Sequence, residues 1–328
     1  MTTVGEFRRR ARFEAARYGG DAWVFVRELL QNSRDAGAHR VEITADRVDG
    51  FDRIVCRDDG SGMSFEHARR FLFTLYASSK RGRGETAGRF GIGFWSVLRF
   101  SPDEVIVRSA PADGWGWEVR LSGDLERMDR RRTTLTAGTE IELRRRSGVD
   151  DPATAVMRAV HRDARFLRRR GADDKALEIR VNSRPATAAF ELPPPSIGFS
   201  RPGLRGAVAL ATSPRVDLLA HGLRVRTAAT LDELLTEPDQ RRKKTASMPE
   251  GLVPKVMLDS RRLQVLMARG DARTDRELHR LVALGRRGIR RLVRDELDRE
   301  AGLGTVGRAA MRARELLSLR RILLVSVI

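Results

Sequence analysis

The chain has 328 residues, of which 41% are hydrophobic; this is enough for two folded domains and excludes a disordered chain. Its single cysteine, Cys56, excludes an internal disulfide and favours a reducing compartment. The sequence has no signal-like run at the N-terminus and no apolar run near the roughly 20 residues that span a bilayer. We therefore expect the protein in the cytoplasm. The net charge of +19 suits a polyanionic partner such as nucleic acid, although the arginines are spread along the whole chain, as codon bias also produces.

The first 150 residues mix helical and strand patterns. A basic amphipathic segment leads into an apolar core helix, and alternating apolar residues then indicate a hairpin. The order predicts an α+β domain over residues 1–150, with helices on one face of a sheet. The predicted elements are the basic segment (5–19), the core helix (21–37), the hairpin (41–56), a helix (64–76), a glycine-rich loop (77–88), a helix opened by "GRFGIGFWSVLRF" (88–100) and three strands (104–110, 115–121 and 139–144).

The composition changes near Asp150, which predicts a second α/β domain over residues 151–300. Residues 301–328 form a C-terminal tail that ends in the apolar run "RRILLVSVI", a terminal strand or the start of a further region. The elements predicted in the second domain are a basic helix (153–170), strands (176–185, 206–212 and 215–227), an exposed loop (237–251) and a long amphipathic helix (273–300).

The core helix carries a separate polar line. Glu28, Asn32 and Asp35 are spaced i, i+4 and i+7, so they project within about 60° of one another. Such a helix is either a surface helix or the wall of a site. The apolar residues of the opposite side are Ala22, Phe25, Val26, Leu29 and Leu30.

Three further motifs follow: "DDGSGM" (58–63) after a strand, "GRFGIG" (88–93) before a helix, and "AGTEIEL" (137–143) at the start of a strand. They match neither the P-loop nor the Rossmann fingerprint, because no G-x-x-x-x-G-K-[ST] occurs and the glycine order here is G-x-x-G-x-G. Glycines before a helix still let backbone N–H groups approach a phosphate.

The ordered set E-L-x-x-N-S-x-D-A, D-x-G-x-G, G-x-x-G-x-G and G-T resembles the GHKL (Bergerat-fold) ATPases, over residues 15–145. That superfamily includes DNA gyrase, heat-shock protein 90, histidine kinases and the MutL mismatch-repair proteins. The resemblance implies a two-layer α/β sandwich that binds ATP with Mg²⁺, followed by a smaller α/β transducer or middle-like domain.

The resemblance also implies roles for the polar residues. Glu28 is the general base for the attacking water, and Asn32 is a ligand of Mg²⁺. Asp35 supports the site, Asp58 accepts a hydrogen bond from the adenine amine, and Thr139 supports the adenine side through its hydroxyl. The glycine-rich parts bind the base and phosphates: Gly60, Gly62 and Met63 near the base, and Gly88, Arg89, Phe90, Gly91, Ile92 and Gly93 around the phosphates.

The "YASSKRGRGETA" segment corresponds to the lid, where Lys80 and Arg89 would neutralise phosphate charge; a solvated lysine is the alternative for Lys80. "DAWVFVRELLQNSRDAG" and "GRFGIGFWSV" look most like heat-shock protein 90, and "NSRDAGA" before a strand also resembles MutL. The segment "MLDSRRLQ" resembles part of the heat-shock protein 90 middle domain. The resemblance makes Arg261 the first candidate for a contact to the γ-phosphate, and Lys243 or Lys244 the second. The alternative is that Arg261 is an ordinary surface arginine.

The expected function is that of a heat-shock protein 90-like, chaperone-type or conformational-switch ATPase, in which slow Mg-ATP hydrolysis drives lid closure and domain rearrangement. The expected partners are a client protein and a second copy of the chain in a nucleotide-dependent homodimer. One alternative is a DNA-associated ATPase of the MutL or gyrase kind, since residues 260–328 hold 17 arginines and 8 acidic residues. The other is a nucleotide-gated interaction module without turnover. The five histidines show no ligand spacing, so no transition-metal site is predicted.

Overall fold

The computed structural model describes residues 4–73, 93–171, 175–236, 252–266 and 271–302. The chain divides into two compact units, Met1–Ala188 and Ala189–Ile328. Each unit has its own sheet, as the mixed α/β prediction requires. Among the described residues, no helix combines the length and the apolar character needed to cross a membrane.

The first unit is built on an eight-stranded sheet with the order β5-β4-β3-β6-β2-β1-β7-β8. Its strands are β1 Arg40–Val48, β2 Phe51–Asp58, β3 Glu104–Ala110, β4 Trp117–Ser122, β5 Met128–Arg132, β6 Gly138–Arg146, β7 Glu178–Val181 and β8 Arg184–Pro185. Its helices are α1 Val4–Ala16, α2 Val24–Asp35, α3 Phe65–Phe71, a 3₁₀ helix Gly93–Phe100 and α4 Pro152–Asp163.

The inner face of this sheet is apolar because its strands alternate buried and polar residues. Helix α2 turns the predicted apolar side inward, burying Phe25, Leu29 and Leu30. Phe25 packs edge to face with Phe100 of the 3₁₀ helix, with ring centroids 5.4 Å apart. The helices therefore cover one face of the sheet, and they fix α2 beside the ends of the central strands.

The outer face carries charges that alternate in sign from strand to strand. Arg108 of β3 lies at the centre and binds Glu118 and Glu140 at 2.6 Å and Glu142 at 2.9 Å. Opposite charges side by side on neighbouring strands stabilise a sheet. One register row across seven strands consists of Arg180, Glu42, Arg57, Glu140, Arg108, Glu118 and Arg131.

The first unit extends beyond the domain boundary that the sequence predicted at residue 150. Helix α4 contacts β1 and α2, and β7 pairs in parallel with β1, so residues 151–188 complete the first sheet. The change in composition near Asp150 marks only the loop before α4. The predicted basic helix over 153–170 is also shorter, because α4 ends at Asp163; it begins where Asp151 caps the Thr154 N–H at 2.8 Å.

The second unit has a five-stranded sheet with the order β12-β11-β13-β10-β9, against which the long helix α6 packs. Leu278, Leu281 and Leu292 of α6 are buried in its core, as the amphipathic pattern predicted. The central strand β13 lies where no strand was predicted. The bounds are β9 Ser196–Arg201, β10 Leu204–Ala211, β11 Arg215–Ala220, β12 Leu223–Ala228, α5 Leu231–Leu235, β13 Val253–Ser260, β14 Val265–Leu266, β15 Asp271–Ala272 and α6 Arg276–Gly302.

Candidate functional site

The candidate site forms where α2 passes the ends of four neighbouring strands. Asp58 at the end of β2 is in register with Thr139 of β6, Thr139 with Ser109 of β3, and Ser109 with Trp117 of β4. Ser33 of α2 reaches this row by a hydrogen bond to Asp58. Polar side chains from α2, β2, β3 and β6 are therefore brought to one edge of the inner face.

Asp58 is held by three donors. Its Oδ1 accepts hydrogen bonds from the backbone N–H groups of Gly60 at 3.0 Å and Thr139 at 3.2 Å, and its Oδ2 from the Ser33 hydroxyl at 2.8 Å. Burial raises the pKa of Asp58 above its ordinary value, and these hydrogen bonds offset only part of that effect. The result is a fixed, poorly solvated carboxyl group, which suits recognition of a polar ligand group.

Gly62 and Gly138 allow the backbone to pass close by on both sides of Asp58. Gly62 has φ +59°, and a Cβ there would lie 2.0 Å from the Ala110 carbonyl oxygen. Gly138 has φ +83°, and its Cβ would lie 2.1 Å from the Asp58 carbonyl oxygen. Both positions therefore need glycine for close packing of the chain as well as for the left-handed conformation.

Ser109 links Met63 and Thr139. Its hydroxyl accepts from the Met63 N–H at 2.9 Å, donates to the Gly138 carbonyl at 3.1 Å and lies 2.9 Å from the Thr139 hydroxyl. Since the single proton of Ser109 goes to Gly138, Thr139 is the donor in the hydroxyl pair. The Thr139 hydroxyl, predicted to support the adenine side, is thus engaged by Ser109, and Thr139 reaches Asp58 through its backbone N–H.

Glu28, the predicted base, lies apart from this row in a second polar cluster. Its side chain is 13% exposed, and the Arg27 Nε lies 4.0 Å from its Oε1. A Cβ on Gly93 would lie 2.5 Å from Glu28 Oε2, so Gly93 leaves the space that the carboxylate occupies. Burial raises the pKa of Glu28, while the positive charge of Arg27 acts in the opposite direction.

Asn32 and Asp35 differ in their surroundings. Asn32 is exposed, and no hydrogen bond of its side chain is present among the described residues. Asp35, the last residue of α2, pairs with Arg34 at 2.7 Å, and its carbonyl accepts from Arg170 at 2.9 Å. The amide of Asn32 is therefore available to a ligand, whereas Asp35 is engaged with arginines near the helix end.

Several predicted site residues lie outside the described residues: Lys80, Gly88, Arg89, Phe90, Gly91 and Ile92, and the second-domain candidates Lys243 and Lys244. Arg261 belongs to the second unit and follows β13, where its N–H donates to the Gly203 carbonyl at 2.9 Å. Within the described part of the chain, no group of three or more His, Cys, Asp or Glu side chains is arranged to hold a metal ion.

Two residues with contacts in the site were not predicted from the sequence. Ser33 lies inside the first motif, and its position next to Asn32 was the available signal. Ser109 lies at the end of a predicted strand, in no motif, and had no signal in the sequence.

Most of the candidate site lies in a part of the chain that is similar to known proteins. Residues 21–131 match the family described as histidine kinase-, DNA gyrase B-, and HSP90-like ATPase. The chain is also 33% identical over 125 residues to the DNA mismatch repair protein MutL of Deinococcus radiodurans, and 36% identical over 126 residues to that of Akkermansia muciniphila. Together these matches support a GHKL-type ATPase domain in the first unit.

The similarity is partial. The two alignments cover 36% of this chain and 22% and 19% of the respective MutL proteins, so the chain spans about a fifth of the length of these relatives. The expected closer likeness to heat-shock protein 90 is not confirmed, because a MutL-like relationship is equally well supported.

Proposed function

We propose that the first unit binds ATP with Mg²⁺ and hydrolyses it slowly, with Glu28 as the general base. The observation that carries this proposal is the pair of half-buried carboxyl groups in the motif order of the GHKL ATPases. Asp58 lies at a strand end and is held by three donors, while Glu28 lies on the adjacent helix one turn before an available Asn32 amide.

Asp58 would recognise the adenine base. Its Oδ1 accepts two hydrogen bonds, from Gly60 and Thr139, and its Oδ2 accepts one from Ser33, so the second lone pair of Oδ2 is left for the exocyclic amine. Asparagine at this position could keep the same neighbours, because its NH₂ would donate to Ser33 and Ser33 to the Leu29 carbonyl 3.1 Å away. It would, however, present a donor to the adenine amine, so base recognition would be lost.

Glu28 would accept the proton of the attacking water. A carboxylate whose pKa is raised by burial is a stronger base than an exposed one, and its reaction needs only a water within hydrogen-bond reach. Asn32 fits a ligand of Mg²⁺, since an available amide oxygen suits a hard cation. When bound, Mg²⁺ would neutralise phosphate charge. Arg261 and the residues around 80 and 88–92 remain candidates for phosphate contacts.

The test is ATP binding by calorimetry together with phosphate release. The wild type should bind Mg-ATP and turn over slowly, whereas Glu28→Gln should bind with similar affinity and lose at least about a hundredfold in turnover. Asp58→Asn should stay folded and fail to bind. A wild type that does not bind ATP, or a Glu28→Gln variant with unchanged turnover, would refute the proposal.

A DNA-associated ATPase is the second candidate, because one face of α6 is strongly basic. Five exposed arginines project within about 60° of one another along the helix. Among the described side chains, two of them have only long ion pairs, 3.7 Å from Arg280 to Glu277 and from Arg291 to Asp295. Such a stripe suits a phosphate backbone. The five residues are Arg276, Arg280, Arg287, Arg291 and Arg294.

DNA binding can be tested by comparing two pairs of charge removals. Arg287→Gln with Arg294→Gln should weaken binding of duplex DNA and reduce the slope of log K against log salt by about one to two. Arg9→Gln with Arg12→Gln, on the exposed side of α1, removes the same charge and should have little effect. If both double variants lose DNA affinity equally, the binding reflects the overall positive charge of the protein and not a site on α6. The chaperone-type and interaction-module alternatives predict no DNA binding at low salt.

A further inference from the structure

The edge strand β5 is strongly basic, and none of the residues assigned to the candidate site lies on it. It ends the eight-stranded sheet, so β4 is the strand that pairs with it among the described residues. All five residues of its sequence "MDRRR" are exposed, and three arginines against one aspartate give it a net charge of +2. Within the described part of the chain, Arg130, Arg131 and Arg132 form no ion pair. The strand therefore presents positive charge that these residues do not neutralise.

The backbone of β5 directs hydrogen-bonding groups to its outer edge. The Ser122 N–H of β4 donates to the Arg127 carbonyl at 3.1 Å, so this pair at the start of the ladder is a hydrogen-bonded one. Hydrogen-bonded and non-hydrogen-bonded pairs alternate in an antiparallel ladder. Every second residue after Arg127 therefore bonds to β4, and the residues between them direct N–H and C=O groups outward. The outward residues are Met128, Arg130 and Arg132.

The side chains of these outward residues share one face of the sheet with exposed apolar groups. The Arg130 guanidinium lies 3.7 Å from the centroid of the Phe65 ring, and that of Arg132 lies 5.4 Å from the centroid of the Trp115 ring. Such contacts hold a guanidinium over a ring and leave its N–H groups for other partners. Trp115 is 84% exposed and Met128 is 53% exposed. Two positioned arginines therefore lie between an exposed methionine and an exposed tryptophan.

We propose that the outer edge of β5 binds an extended acidic segment of a partner protein as an additional antiparallel strand. The outward residues offer both N–H and C=O groups, which match a peptide backbone, whereas a phosphate backbone would leave the C=O groups without donors. Two acidic residues at alternate positions of the segment would lie opposite Arg130 and Arg132. Apolar residues on the same face of the segment would contact Met128 at one end and Trp115 at the other.

The charge of β5 favours an acidic partner over a second copy of the chain. Two β5 strands side by side would bring net charges of +2 together, whereas an acidic segment brings the opposite charge. Charged residues on an edge strand are a common protection against self-association, but the exposed Trp115 and Met128 work against that protection because they add apolar surface. The surface lies apart from the candidate site, so this inference holds whether or not the first unit hydrolyses ATP.

The probe is a fluorescein-labelled peptide, Leu-Thr-Glu-Thr-Glu-Thr-Leu, whose glutamates and leucines share one face of a strand. Its binding to the full chain is measured by fluorescence anisotropy at low salt. The peptide Leu-Glu-Thr-Thr-Glu-Thr-Leu has the same composition, but its glutamates lie on opposite faces, so we expect it to bind about tenfold more weakly. N-methylation of both glutamates of the first peptide keeps the charge and removes the donors that pair with β5, so its binding should be lost.

Two double variants of the protein test the face of the strand that is used. Arg130→Gln with Arg132→Gln should weaken binding of the first peptide about tenfold. The matched control is Arg127→Gln with Arg131→Gln, which removes the same charge from exposed residues on the opposite face and should change affinity less than about twofold. Circular dichroism should show that both double variants are folded, since all four side chains are exposed.

Amide hydrogen exchange measured by NMR tests the added strand directly. At saturating peptide, exchange should slow at the outward N–H groups of Arg130 and Arg132 and stay unchanged at Asp129 and Arg131, whose N–H groups already face β4.

Three results would overturn the proposal. The first is no binding of the first peptide, and the second is equal binding of its N-methylated form, which would show charge attraction without strand pairing. The third is an equal loss of affinity in the two double variants. An oligothymidylate that binds through Arg130 and Arg132 while the peptide does not would assign the surface to nucleic acid and also overturn the proposal.

Discussion

At the scale of the residue, the two carboxyl groups of the candidate site lower the stability of the folded state at neutral pH. Burial raises the pKa of both Glu28 and Asp58. A carboxyl group with a raised pKa in the folded state stabilises the protein only at low pH, and this contribution is lost as the pH rises through the folded pKa. Both groups therefore cost stability at neutral pH, which is typical of residues kept for chemistry.

The glycine beside Asp58 gives a sharp test of how the site is built. Gly138 and Gly37 both have left-handed backbones, with φ of +83° and +77°. A Cβ at Gly138 would meet the Asp58 carbonyl oxygen at 2.1 Å, whereas one at Gly37 would meet nothing within 4 Å. We expect Gly37→Ala to cost about 1 kcal/mol of unfolding free energy through backbone strain alone, and Gly138→Ala about 3 kcal/mol or more.

Chemical denaturation measures this difference, and calorimetry should show weakened ATP binding for Gly138→Ala only, because the clash displaces the Asp58 backbone. Equal losses of stability in the two variants would mean that the close approach of the Asp58 backbone to Gly138 does not restrict the residue at this position.

Motif order in the sequence predicts which residues belong to the candidate site, but it does not predict their contacts. Glu28, Asp58, Gly60 and Gly62 were predicted in this way, because short motifs preserve which residue types stand at which spacing. The hydrogen bonds from Ser33 to Asp58 and from Met63 to Ser109 join different segments, and a hydrogen bond between segments depends on packing that spacing does not encode. The engagement of the Thr139 hydroxyl by Ser109 has the same cause.

At the scale of the element, the outer sheet face depends on Glu142 of β6. Its side chain is 1% exposed and accepts hydrogen bonds from Arg53 at 2.7 Å, Arg144 at 2.8 Å and Arg108 at 2.9 Å. Burial alone would raise the pKa of Glu142, but these three arginines hold it at about 2. The carboxylate thus links β2, β3 and β6 while it stays ionised.

Glu142→Gln should lower the unfolding free energy at pH 7 by about 2–3 kcal/mol, because three arginines lose a common buried anion. The folded pKa lies below the ordinary value of 4.5, so the wild-type contribution is present above that value and lost as the pH falls toward 2. The difference between wild type and variant should shrink over that range, as chemical denaturation at pH 7, 4 and 3 can show.

The matched control is Glu66→Gln, whose ion pair with Arg69 is exposed, with side chains 72% and 65% accessible. Its effect should stay within about 0.5 kcal/mol at every pH. If Glu142→Gln lowers the unfolding free energy by as little as this, water solvates the three arginines as well as the carboxylate does.

Elements were predicted well where periodicity was strong and poorly elsewhere. The hairpin β1–β2 and the strand β3 were found because apolar residues alternate or run together there. The strand β5, "MDRRR", is wholly exposed at the sheet edge and so has no apolar pattern to detect. The helix α4 stops at Asp163 although helical spacing continues, because a turn follows it and Arg168 then forms an isolated bridge with Ala176.

At the scale of the whole molecule, the positive charge is unevenly distributed. The first unit has 36 basic and 28 acidic residues, a net +8 over 188 positions, and the second has 27 and 16, a net +11 over 140 positions. The alternating row on the first sheet nearly cancels its own charge, so its arginines serve ion pairs rather than a polyanion. Charge therefore favours the second unit, and α6 within it, as the contact for a phosphate backbone.

The division of the chain leads to a prediction about fragments. Residues 151–188 supply β7 to the edge of β1 and bury Val156 and Val160 of α4 and Ile179 of β7 in the first unit. A fragment of residues 1–188 should therefore unfold cooperatively. A fragment of residues 1–150 would leave the β1 edge and the apolar surface under α4 exposed, so it should aggregate or bind hydrophobic dyes.

The measurement is thermal unfolding of both fragments by circular dichroism, with gel filtration to detect aggregates and calorimetry to detect Mg-ATP binding. Arg47→Gln in the 1–188 fragment is a useful control, because it removes the contacts of Arg47 with Asp52 and the Gly148 and Asp150 carbonyls without removing α4 or β7. We expect that variant to fold with a lower melting temperature. A 1–150 fragment that is monomeric, cooperative and as stable as 1–188 would show that α4 and β7 are appended to the first unit rather than part of its core.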